Sequence, residues 1–167
     1  MKSFFTMFGV LAACLMLLAS YPAKETLRVG TFDSRAIAAA YVTSEMFKGM
    51  SEKFNQAEKE GNEELKKEVE ALSQVIHLQG FSIACVADIL EKVEAELPKV
   101  AQEAGVDIIV SKWEVMFKNP SIEIVDVTSH LVKLFNPSEY GFKAIEGVQK
   151  QPPIPLIKFF LELSEIE

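Results

Sequence analysis

The chain has 167 residues, with 17 Lys and Arg against 24 Asp and Glu and a formal net charge of -7. That acidity, with no Lys/Arg cluster, excludes a nucleic-acid surface, which needs clustered cations against phosphate, and it opposes broad attraction to anionic lipid. The length accommodates one domain with a real core.

Lys2 precedes an almost unbroken apolar run from Phe4 to Ala19, which ends at Ser20-Tyr21-Pro22-Ala23 before Lys24 and Glu25. This order of charge, apolar stretch and small-residue exit is that of a secretion signal. The apolar run of about 16 residues falls short of the roughly 20 that a spanning helix requires. Export to the periplasm with removal of residues 1–23 is therefore expected. Leu11-Ala12-Ala13-Cys14 resembles a lipobox, and a lipid on Cys14 would hold the protein on a membrane surface; the apolar Leu15 to Leu18 that follow favour ordinary cleavage instead. Membrane contact is expected only if Cys14 is lipidated. Removing residues 1–23 lowers Lys+Arg from 17 to 16, leaves Asp+Glu at 24, and gives a net charge of -8. Cys85 then stands alone, so no internal disulfide forms, and its apolar setting between Phe81 and Ala87 predicts a buried thiol.

Leu27 to Asp33 alternates apolar and polar residues, which predicts a half-buried strand, and Asp33-Ser34 offers oxygens to cap a following helix. From Arg35 to about Glu60, the residues Ala39, Val42, Met46, Met50, Phe54 and Ala57 recur every three or four positions and form one helical stripe. Gly61-Asn62 supplies a left-handed helix end and an N-cap, so a helical hairpin is expected to turn there. The returning helix carries Leu65, Val69, Leu72 and Ile76, then Ile83, Val86, Leu90, Val93, Leu97, Val100 and Ala104. This seam is expected to run through Gly80 with only a dent and to kink at Pro98. Glu63, Glu64, Glu68 and Glu70 are placed on a solvated face.

Asp107 to Ser111 reads as a buried strand, Val115-Met116-Phe117 as a possible further one before a turn at Asn119-Pro120, and Ile122 to Val127 as another. Thr128 caps a short helix from Ser129 to Phe135, closed by Asn136-Pro137. The tail holds a linker, Gln151-Pro152-Pro153-Ile154-Pro155, and an apolar helix over Leu156 to Leu163, expected to pack back on the body or on a neighbouring subunit.

The strand Val29 to Ser34 running into a helix, together with the block from Val100 to Val110 continued by Val115-Met116-Phe117, Ile124 to Thr128 and Leu134-Phe135-Asn136, resembles the Skp/OmpH-like periplasmic chaperones. The resemblance implies an α+β fold in which a small β-sheet head carries a protruding long helical hairpin. Here that head and arm span residues 24–137, with the arm over about 35–104, and an extra C-terminal helix lies in 138–167. It further implies an ATP-independent holdase for unfolded outer-membrane or exported proteins, assembled as a homo-oligomeric trimer and using no cofactor. The client surface would include Met46, Met50, Phe54, Leu65, Val69 and Leu72. Met suits such work because its flexible thioether adapts to varied partners. An arm of ~35 residues each way would reach ~50 Å, which is short for the family, and it is acid-rich. Both features favour a second reading: a structural or interaction protein of the envelope that keeps the head without client binding.

An enzyme would require a constellation that the sequence does not offer. His77 and His130 lack metal-ligand spacing. Asp33 and Asp126 stand where strands give way to helices and read as caps, and the chain contains no P-loop, G-x-G-x-x-G, G-x-S-x-G or Cys-x-x-Cys.

Overall fold

A computed structural model describes residues 26–164; the expected export segment and Cys14 lie outside them. The architecture is α+β. Strands β1 (Arg28–Phe32), β2 (Ile108–Ser111) and β3 (Glu123–Asp126) form one parallel sheet in the order β2-β1-β3. Gly30 pairs with Ile109 and with Val125, so the two sequence blocks that carry the family resemblance occupy neighbouring strands. Arg28 ties the entry ends of the three strands together: its guanidinium bonds both carboxylate oxygens of Glu123 at 2.9 Å and the carbonyl of Gly105 at 2.6 Å.

Between β1 and β2 the chain is helical: α1 (Ser34–Val42), α2 (Glu45–Glu60), α3 (Glu63–Phe81), α4 (Ala87–Leu90), a 3₁₀ segment (Glu91–Glu96) and α5 (Leu97–Ala104). After β3 come α6 (Thr128–Leu134), α7 (Glu139–Gln149) and α8 (Leu156–Ser164). Helix α1 is the centre of the molecule. Its Ala36, Ile37, Ala38, Ala39 and Ala40 are all buried, and the small side chains of the four alanines let α7, α3, α6 and α2 pack around one axis. Tyr41 continues this core through edge-on contacts with Phe47 and Phe135. Under the sheet, Gly30 leaves room for Val106 and Val127.

The hairpin turns where expected, with Gly61 left-handed at φ 63° and the Asn62 side chain accepting from Leu65 N. Its extent differs from the expected 35–104. The first helix breaks at Thr43-Ser44, where Thr43 Oγ1 donates to Ala39 O at 2.7 Å and Ser44 Oγ to Tyr41 O at 2.6 Å. Such hydroxyls compete with the helical ladder for its carbonyls. The second helix stops at Phe81, because Ser82 is extended and its hydroxyl donates to Ile154 O instead. The hairpin proper is thus α2 and α3, about 24 and 28 Å long at the helical rise. Val86, Ile89, Val93 and Val100 leave the expected seam and enter the body's core. Gln79, the polar step of that seam, is buried and donates to Cys85 O and Asp88 Oδ1.

Three smaller expectations also change. Pro98 sits in the first turn of α5, where a missing N–H costs nothing, and so starts a helix instead of kinking one. Residues 115–117 form no strand, and Met116 and Phe117 are exposed on the connection from β2 to β3. Cys85 is exposed, because the loop after α3 turns it outward while Val86 takes the core position.

At the exit end of the sheet, Asp33 gathers five donors. Its Oδ1 accepts from Arg35 N and Nε at 3.1 Å and from Trp113 Nε1 at 3.3 Å. Its Oδ2 accepts from Arg35 Nη2 at 2.9 Å and Lys112 Nζ at 2.8 Å. Asp33 and Arg35 are 0% and 2% exposed, and the guanidinium lies 5.0 Å from the Trp113 ring centre. Burial, the largest single influence, pushes the carboxyl up, but the bonds and charges of Arg35 and Lys112 together hold it below its ordinary value. A carboxyl lowered in this way stabilises the fold above its unfolded value, near 3.9, and loses that contribution as pH falls. Asp33→Asn is expected to reduce the unfolding free energy at neutral pH by about 3 kcal/mol. In urea titrations the gap between wild type and variant should narrow on going from about pH 7 to about pH 3.

Candidate functional site

A concavity lies between the hairpin and the body, and its walls follow from the packing of α1. Helices α2 and α3 diverge from it on one side and α7 approaches on the other, leaving a groove of about 580 Å³. Phe47 and Met50 from α2, Val69, Leu72 and Ile76 from α3, and Tyr140, Ala144 and Val148 from α7 line it over a floor of Ala38, Ala39 and Val42. The lining contains no Asp, Glu, Lys or Arg; its one titratable heterocycle is His77. An open groove of this kind has nothing to fix an ionic ligand. It offers apolar surface, whose burial is worth roughly 25 cal/mol per Å², together with the short hydroxyls of Thr43 and Ser73 at its edges.

The six expected client-surface residues divide. Met50, Val69 and Leu72 come together on the groove wall. Met46 is 50% exposed outside it, because the break at Thr43-Ser44 rotates the start of α2 away from the stripe drawn through Val42. Leu65 is half-buried near the hairpin tip, away from the lining. The side chain of Phe54 lies outside the described residues. Glu63, Glu64, Glu68 and Glu70 are exposed, as the sequence pattern requires. His77 is on α3 and His130 on α6, and among the described residues no three His, Cys, Asp or Glu side chains cluster in a metal-holding arrangement.

Sequence reasoning missed the α7 wall entirely. Its signals were present: Ser138 caps the helix by accepting from Gly141 N at 3.2 Å, Glu139 sits in the first turn, and Tyr140, Ala144 and Val148 recur every four residues. The nearby prolines masked them.

The Asp33 cluster is the other concentration of charged groups. Its carboxylate is committed to five donors within the fold, and Arg35 Nη1 is used on Gln151 O at 2.9 Å. Those bonds serve to join elements. Thr128, expected to cap the following helix, is instead its first residue, with Val127 at the cap position; Asp126 Oδ1 accepts from Thr128 N at 2.8 Å, and the Thr128 hydroxyl accepts from Asp33 N at 3.0 Å. No family model, curated protein or solved structure matches the chain.

One contact sets the width of the groove. Gly141 lies so close to α1 that an added Cβ would collide with the Thr43 side chain and meet Pro137 Cβ at 3.0 Å. Gly141→Ala is expected to cost about 1–3 kcal/mol by prying α7 from α1. Gly147→Ala, on the same helix with nothing within 4 Å of its Cβ, should instead stabilise by about 0.5–1 kcal/mol. Thermal unfolding of the two variants checks the contrast.

Proposed function

We propose that this chain is an exported, non-catalytic protein-binding module of the cell envelope, an ATP-independent holdase that receives apolar segments of unfolded outer-membrane or exported proteins. The observation that carries this reading is the uncharged groove between the hairpin and the body, into which Met50, Val69 and Leu72 converge with Phe47 and Ile76. A wide, shallow apolar trough with a flexible Met selects for apolar character without demanding one shape. The exposed acid-rich hairpin tip supports solubility while a client is held. Export rests on the N-terminal sequence, and kinship with the Skp/OmpH-like chaperones on the strand-to-helix blocks around Asp33 and Asp126. In this reading the client lies against the body of each subunit, since a hairpin of about 28 Å is a short wall for a cage between arms.

The shortness of that hairpin also favours a second reading, an envelope interaction protein whose groove serves one dedicated partner. Dilution of a urea-unfolded β-barrel protein into buffer distinguishes the two. The holdase reading expects the chain from Lys24 to suppress aggregation of several unrelated clients. Ser73→Arg, at an exposed position on the groove wall, should weaken client binding by about tenfold, or about 1.4 kcal/mol. Unchanged aggregation with every client would remove the holdase reading.

A further inference from the structure

A second apolar feature on this chain fits the groove. Ile157 and Phe160 stand one turn apart on α8 and are 71% and 57% exposed, while Phe159 between them is buried. The linker preceding α8 is held at three points: Arg35 Nη1 on Gln151 O at 2.9 Å, Ile154 N on Phe81 O at 2.8 Å, and Ser82 Oγ on Ile154 O at 2.7 Å. Swinging α8 into the groove of its own chain would require releasing these bonds, including one from a buried guanidinium, whose unmet donor is expensive.

We propose that α8 of one copy of this chain seats its Ile157–Phe160 face in the groove of a second copy, and that the exchange is reciprocal, giving a two-fold dimer in place of the trimer that the family resemblance implies. The inference rests on the groove being a site for apolar segments and names its resident occupant. A two-fold interface requires a surface complementary to itself, and one chain carries both the helix and its receptor. Paired apolar anchors one turn apart are the mode by which a helix lies in a groove. The lining, free of Asp, Glu, Lys and Arg, leaves Ile157 and Phe160 no unpaired charge to bury. Half the lateral surface of a nine-residue helix is on the order of 250 Å². Counted on helix and groove and over both seats, that makes about 1,000 Å², the lower bound for a specific interface. An unfolded client of matching character would compete with α8 for the same surface.

Sedimentation velocity of the chain from Lys24 tests this. The expected result is a dimer that becomes monomeric in Phe160→Asp and in Ser73→Arg, both variants keeping the wild-type circular dichroism and melting. Mixing the two variants leaves one intact seat of two, so association should return only in part and more weakly than in the wild type. A wild-type monomer at concentrations approaching about 1 mM overturns the proposal. So does a trimer, or a dimer indifferent to both variants. A monomer that Phe160→Asp destabilises would place α8 in its own groove instead. The holdase reading fails separately: if no client binds even monomeric Phe160→Asp while association responds as stated, the dimer stands without client holding.

Discussion

The buried pair of Asp33 and Arg35 is the joint on which the other elements depend. Asp33 ends the central strand and caps the central helix, so one carboxylate fixes the angle at which α1 leaves the sheet. The same group receives Lys112 and Trp113 from the connection after β2, and Arg35 reaches past it to the carbonyl of Gln151 in the C-terminal linker. Three stretches of chain far apart in sequence are thereby held at one point. Burying two charges is costly unless geometry and further hydrogen bonds offset the lost hydration. Here the five donors on Asp33 and the Trp113 ring against the guanidinium supply that compensation.

From this joint the rest of the architecture follows as packing. With its first turn fixed, α1 presents a run of alanines on all sides, and neighbouring helices can approach closely only where their own residues are small. Gly141 makes that approach on α7, against Thr43. Where the neighbours carry Phe47, Met50 and Leu72 they stand off instead, and the gap between them is the groove. A buried charged joint and an uncharged trough therefore coexist on one small body, the second a surface that water covers poorly.

The tail is integrated in the same way. Ser82 ends α3 by turning its hydroxyl to the linker, and the linker in turn pairs with the backbone of Phe81. The helix end and the linker anchor are therefore one event, which is why the coiled seam drawn through Gly80 is interrupted. Its apolar positions beyond Ser82 are satisfied by the body core, with Val86, Ile89 and Val93 buried there.

Local chemistry in the sequence determined the three strands, the cap at Asp33, the turn at Gly61-Asn62, the solvated acidic face and the C-terminal helix, because each depends on residues within a few positions of one another. It also marked Met50 on one apolar stripe and Val69 and Leu72 on that of the returning helix. What it could not determine was which stripes face each other. The contacts of Asp33 with Lys112 and Trp113, the link of Arg35 to Gln151, and the wall formed by Tyr140, Ala144 and Val148 all arise between elements far apart in the chain. Helical period alone carries no information about partners at that distance. Only the tertiary structure decided that the hairpin would stop at Phe81 and leave an open groove, since that outcome depends on whether Ser82 bonds its own helix or the linker.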